Sequence, residues 1–170
     1  MKYTHIYKRI IGLTLVCFVS RMAADGNPPL FSSSIALTDK GELLFTQKNL
    51  KRLDVFSRDG SSLLRSISLD DEPTGLTVDD AKAYVTTFKK AGKLQIVSLE
   101  SAKVEATVPV GSGACYPLLS ADKKKLYVCN QFSNTVSEID LLTRKVVRTV
   151  NVLREPKLAV ISKDGRYMFV

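Results

Sequence analysis

The chain is 170 residues long, 45% hydrophobic and 25% charged, a composition that excludes a disordered or collagen-like polymer and predicts a real buried core. Its formal charge is +8, but the first 24 residues hold four of the 25 bases and none of the 17 acids, leaving 21 against 17 in the rest. That excess is ordinary for a soluble domain and does not call for nucleic acid or an anionic membrane.

At the N-terminus a basic stretch, Met1 to Arg9, precedes an apolar run from Ile10 to Val19 and then Arg21-Met22-Ala23-Ala24. The outline predicts a secretory signal peptide over residues 1–24, cleaved after Ala24, and a short linker over 25–28. Met22 stands where a small residue is preferred, so an uncleaved anchor is the alternative, the sole route to a membrane. Thr14 and Val16 are wrong for a lipidated Cys17. The expected location is therefore secreted, periplasmic or at the cell surface.

Histidine occurs once, as His5 in the leader, which leaves no imidazole in residues 25–170 for a catalytic triad, a zinc site or an axial haem bond. Cys17, Cys115 and Cys129 form no Cys-x-x-Cys pair, and no phosphate-binding or nucleophile-elbow motif is present. These absences lead to an expectation of no enzyme activity, no cofactor and no metal in this chain.

From residue 29 onward the sequence repeats. TDKGELLFT at 38–46, DDAKAYVT at 79–86, DKKKLYVC at 122–129 and KDGRYMFV at 163–170 each join a polar turn to an apolar-aromatic strand. Phe45, Tyr84, Tyr127 and Phe169 are the aromatic anchors, 39, 43 and 42 residues apart, and Phe56, Val97 and Ile139 keep the same beat. Pro29, Pro73, Pro117 and Pro156 are read as opening successive units, which sets repeats at 29–72, 73–116, 117–155 and an incomplete 156–170.

Within the third repeat, Leu118 to Ala121, Leu126 to Cys129, Thr135 to Leu141 and Lys145 to Val152 read as four strands bounded by turn chemistry. No window after residue 30 sustains a helical apolar face. Four short strands every 40 to 45 residues mark an all-β fold, a β-propeller of four-stranded antiparallel blades, with about three and a third blades over residues 29–170. On that count the chain reads as the N-terminal part of a longer protein, whose terminal blades are weak and aggregation-prone on their own.

The string from Pro117 through Tyr127-Val128-Cys129-Asn130 to Ile139-Asp140 and Arg144 to Val150 resembles the YVTN-family propeller repeat, and Tyr84-Val85-Thr86-Thr87 is a second near match. That resemblance implies seven blades in the full protein, an extracytoplasmic setting, and a binding or modular role.

Four features carry candidate chemistry. The anchors Tyr84, Tyr127, Phe45 and Phe169 are expected to be core packing between blades. Cys115 and Cys129 stand within two positions of direct opposition across a hairpin centred near Lys123, so they form either a disulfide or two separate buried thiols. Glu138 occupies a position filled by Val55 and Ile96 in the earlier repeats and needs a basic partner, expected from an adjoining blade, or partial exposure. The second-to-third-strand loops carry Lys48, Lys51, Arg52, Lys89, Lys90, Lys93, Asn130, Gln131, Phe132 and Asn134, which would share one face of a propeller as a ligand rim.

The leading functional expectation is a non-enzymatic binding or scaffold module for a protein, glycan or small anionic ligand, whose other partners are the remaining blades of the same protein. The alternatives are the propeller part of a haem-containing redox enzyme with its catalytic domain outside this chain, and an anionic-polymer binder such as a nucleic-acid propeller.

Overall fold

A computed structural model describes residues 35–79, 81–87 and 91–170. The leader at 1–24, the linker, and Lys89 and Lys90 lie outside the described residues.

Fourteen strands form among the described residues: β1 (Ile35–Leu37), β2 (Leu43–Gln47), β3 (Arg52–Phe56), β4 (Leu63–Ser68), β5 (Pro73–Val78), β6 (Lys82–Thr87), β7 (Lys93–Ser98), β8 (Lys103–Pro109), β9 (Ala114–Leu119), β10 (Lys125–Asn130), β11 (Thr135–Asp140), β12 (Lys145–Asn151), β13 (Val160–Ile161) and β14 (Met168–Phe169). They make three four-stranded antiparallel meanders in sequential order and one two-stranded hairpin, β13-β14. The sheets pack face to face, with the first strands innermost: β5 lies against β1 on one side and β9 on the other. The fourth strands β4 and β12 form the largely exposed outer edge.

One apolar layer fills each gap between sheets. Leu44, Leu53 and Val55 of the first sheet meet Leu76, Val85 and Val97 of the second. Tyr84, Leu94 and Ile96 of the second meet Leu119, Leu126 and Ile139 of the third. A smaller layer, with Leu118, Cys129 and Val136, packs against Ala159, Ile161 and Met168 of the hairpin segment. Alternation along each inner strand sends successive side chains to opposite faces, so the second and third sheets contribute to an apolar layer on each side, and the first sheet to one.

The turns explain the polar half of each repeat unit. In Ser57-Arg-Asp, Ser120-Ala-Asp and Ser162-Lys-Asp the serine hydroxyl donates 2.6 Å to the aspartate two residues on. That aspartate then accepts a backbone N–H at 3.1 Å from Ser61, Lys124 or Arg166. The fourth residue of each turn has positive φ and is Gly60, Lys123 or Gly165.

The structure corrects the repeat register at Phe45 and Pro117, and of the expected core anchors it leaves Tyr127 half-buried and Phe169 exposed. Leu44, opposite Val55, is the counterpart of Tyr84 opposite Ile96 and Tyr127 opposite Glu138. Phe45 therefore lies one position off and packs edge-on against Phe56 at 5.4 Å, on the other face. Pro117 does not open its unit, because the strand begins at Ala114 and Pro117 sits inside it opposite Val128; Ala114 is the counterpart of Pro73. Tyr84 is buried, but Tyr127 is only half-buried, since the hairpin β13-β14 covers less of sheet three than sheet three covers of sheet two.

Candidate ligand-facing rim

At one end of the stack the β2–β3 and β10–β11 loops lie beside the β4–β5, β8–β9 and β12–β13 connections. Backbone bonds lace them together: Leu69 N–H donates to the Lys51 carbonyl, Gln131 N–H to Gly113, Phe132 N–H to Ser112 and Val152 N–H to Asn134. This end is built as a connected surface rather than as separate hairpin tips.

Its charge is mixed. Lys48 and Lys51 are exposed, but the β4–β5 connection places Asp70, Asp71 and Glu72 on the same end, and Lys48 Nζ stands 3.9 Å from Glu72. A contact this long between two exposed groups contributes little stability, yet the acids offset positive charge at that end. Among the described residues the bases come on the loops between second and third strands and the acids on the connection from fourth strand to first.

The amide residues divide by role. Asn130, at the end of β10, is fully buried and donates its amide to Thr135 Oγ1 at 3.0 Å and Ser137 Oγ at 2.9 Å. Its Oδ1 is buried without a protein partner, as are Thr87 Oγ1 and Gln95 Nε2 in sheet two. Gly111 packs so closely on Asn130 that a Cβ there would stand 2.6 Å from its Cγ. Asn130 therefore shapes the rim from beneath and does not face a ligand. Asn134 accepts the Glu155 N–H at 2.8 Å, and Gln131 reaches the Glu155 carboxylate at 3.5 Å.

Phe132 is different. Its ring is 56% exposed while its backbone is fixed to Ser112, and it rests on Gly113, where a Cβ would come within 2.9 Å of the ring. An aromatic side chain held outward on a bonded loop is a ready contact element, because little ordering is left for binding to impose.

Beneath the rim, Cys115 and Cys129 are direct partners across β9 and β10, brought opposite by a register shift between Val128 and Cys129. Both are buried free thiols. Burial pushes the Cys115 thiol up to about 11 and the Cys129 thiol up to about 12. Neither is a nucleophile at neutral pH.

A second feature was signalled by Glu138. Between sheet three and the β13-β14 hairpin lies a cleft of about 320 Å³, lined by Tyr127, Val136, Glu138, Arg148, Ile161 and Met168. Glu138 is buried and accepts from Lys125 Nζ at 2.6 Å and from Arg148 Nε at 2.8 Å. Its partners come from β10 and β12 of its own sheet, not from an adjoining blade. The Lys125 bond, with Arg148 beside it, holds the Glu138 carboxyl below its usual range despite burial. Among the described residues no group of three His, Cys, Asp or Glu side chains could hold a metal ion.

Comparison with solved structures settles the architecture. The chain superposes on hydrazine synthase of Kuenenia stuttgartiensis with a TM-score of 0.74 at 18% identity, over 79% of this chain and 40% of that one. It superposes on the WD40 β-propeller domain of Doa1 with a TM-score of 0.64 at 14% identity, over 74% of this chain and 42% of that one.

The fold is a β-propeller.

Its three four-stranded sheets are blades, and the β13-β14 hairpin follows the third. The dihydro-heme d1 dehydrogenase NirN, in complex with DHE, is a further neighbour, with a TM-score of 0.62 at 16% identity over 81% of this chain and 32% of that one. No family model matches the chain. Among curated proteins, antigen Lp49 of Leptospira interrogans serogroup Icterohaemorrhagiae serovar copenhageni (strain Fiocruz L1-130) is 24% identical over 106 residues, which are 58% of this chain and 23% of that protein. The chain thus spans less than half the length of each of these proteins.

Proposed function

We propose that the chain contributes to a non-enzymatic, extracytoplasmic binding propeller, similar to the YVTN-repeat proteins, that contacts a protein or glycan through the rim carrying Phe132. The supporting observation is the exposed Phe132 ring on a loop whose backbone is bonded to the neighbouring connection. Gln131 and Ser133 flank it with hydrogen-bonding groups, the pairing of aromatic anchor and polar surround that recognition surfaces use. The mixed charge of this end argues against a nucleic-acid or other anionic polymer as the ligand, since such binding draws on a run of unpaired cations.

Wild-type chain and the Phe132→Ala variant should be compared on peptide and glycan arrays, with affinities of any binders measured in solution. The expected result is a binder whose affinity falls by roughly tenfold or more in the variant, as for a central aromatic anchor. Absence of any binder, or binding indifferent to Phe132→Ala and Gln131→Ala together, overturns the rim as the contact surface.

A second reading is favoured by two of the structural neighbours, hydrazine synthase and NirN, in which a propeller belongs to an enzyme. On this reading the chain is the propeller part of a haem-containing redox enzyme whose chemistry resides elsewhere in the polypeptide. A Cys-x-x-Cys-His haem attachment site in the same polypeptide is the feature that would favour it over a pure binding module.

A further inference from the structure

We infer that Cys115 and Cys129 form a disulfide that ties the innermost strand of blade three to its second strand, laid down while the protein folds. The inference is independent of what the rim binds.

The first support is registration. The two residues are direct cross-strand partners, and directly opposed residues of an antiparallel pair hold their Cβ atoms about 4.5–5.5 Å apart. A disulfide spans about 3.5–4.5 Å between Cβ atoms, so the closure demanded is of the order of 1 Å. The irregularity lies at this pair, where the register shifts between Val128 and Cys129, so the backbone is not locked there into an unbroken ladder.

The second support is the equivalent pair in blade two. Pro73 opposes Thr87 as Ala114 opposes Asn130, and a register shift follows in both blades; in blade two Thr86 pairs with Gly75, and Thr74, in the shift, stands at the place of Cys115. Thr74 Oγ1 lies 3.0 Å from Thr86 Oγ1 and donates 2.7 Å to the Ala114 carbonyl of the next blade. Cys115 repeats the second contact, its thiol facing the Pro156 carbonyl at 3.7 Å. Blade two uses this place for a hydroxyl pair, and blade three puts two thiols there, both within one buried cluster.

The chemistry is thiol–disulfide exchange with a low-molecular-weight disulfide such as oxidised glutathione. One cysteine thiolate attacks a sulfur of the donor and expels one donor thiol. The second cysteine then attacks the mixed disulfide and expels the other. The protein loses two electrons and two protons, and the donor disulfide becomes two thiols. In the folded, reduced chain both thiols are buried and mostly protonated, so exchange there is slow and the bond belongs to the folding stage.

The full chain carrying Cys17→Ser should be refolded from the reduced, denatured state in a glutathione redox buffer, quenched with acid, denatured and alkylated. Intact mass and peptide mapping are then read; if refolding yield is low, chain produced in an oxidising compartment is mapped in the same way. The expected result is a monomer lighter by two hydrogens, with Cys115 linked to Cys129 and inaccessible to alkylation until reductant is added. Its urea midpoint should lie above that of the reduced chain. Alkylation of both cysteines without reductant, or linkage only between chains, overturns the inference. A variant with Thr74→Cys and Thr86→Cys in a background of Cys17→Ser, Cys115→Ser and Cys129→Ser should also close its new pair. Failure there would remove the argument from the equivalent position.

Discussion

At the scale of single residues, the turns that follow the Ser-x-Asp pattern give the sharpest test, because one backbone conformation recurs with two different residue types. Gly60 and Lys123 occupy the same turn position with φ of 71° and 56°. Left-handed backbone costs a side-chain-bearing residue roughly 1–2 kcal/mol relative to glycine. A Cβ on Gly60 would meet only Leu43 Cδ1 at 3.8 Å, an ordinary contact, so Gly60→Ala isolates the conformational cost. Gly60→Ala should destabilise by about 1 kcal/mol and Lys123→Gly should stabilise by a somewhat smaller amount, since a glycine also enlarges the freedom of the unfolded chain. Urea unfolding of the two variants checks the opposite signs. Equal signs would show that side-chain contacts of Lys123, and not φ, govern that turn.

At the scale of the strand, Glu138 and Arg148 stand where blade two has Ile96 opposite Ala106. An aliphatic interface position has been exchanged for a carboxylate with two donors. Both donors keep much of their side chains in solvent, so removing the charge with Glu138→Gln should cost only about 1–2 kcal/mol, below the range for a pair buried on both sides. The folded carboxyl is held low, so its contribution is complete above about pH 4.3 and disappears as pH falls through the lower folded value. The deficit of Glu138→Gln should therefore be constant near neutrality and vanish in acid. Glu138→Ile with Arg148→Ala restores the blade-two pairing and should recover wild-type stability or exceed it. A double variant less stable than Glu138→Gln would mean that the cleft needs its charge.

This position also shows what the sequence disclosed. The break in the aliphatic pattern at Glu138 was visible because strand registers repeat, and the need for a partner followed from desolvation. Which partner was not visible, since Lys125 and Arg148 reach it only through pairings to β10 and β12 that include a bulge. Local irregularity hides face assignments elsewhere as well. Leu44, Tyr84 and Tyr127 each stand two residues past the carbonyl that closes the preceding turn, Glu42, Lys82 or Lys125, so the aromatic Phe45 falls one position on and joins the other face. A bulge beside Cys115 moves Pro117 into a strand. Periodicity fixes strand order and count, whereas single-residue insertions decide which face each side chain joins.

At the scale of the whole molecule, stability is distributed through interfaces between neighbouring blades and not through one central core. Each apolar layer is shared by two adjacent sheets, and the first and third sheets contribute to different layers. Arrays of this kind behave as chains of nearest-neighbour couplings, so damage should fade with distance along the stack. Leu126 is fully buried in the layer between blades two and three, and Leu126→Ala should cost about 2–5 kcal/mol by transfer and cavity terms. The hydroxyl bond from Thr74 to the Ala114 carbonyl crosses the same interface, so loosening the layer also exposes a backbone contact of the innermost strands. Amide hydrogen exchange should therefore accelerate most in β9 to β12, less in β5 to β8, and least in β1 to β4, whose own layer with Leu76 and Val85 is untouched. A uniform acceleration across all three blades would show instead that the stack opens as a single cooperative unit, with coupling between interfaces stronger than any one layer.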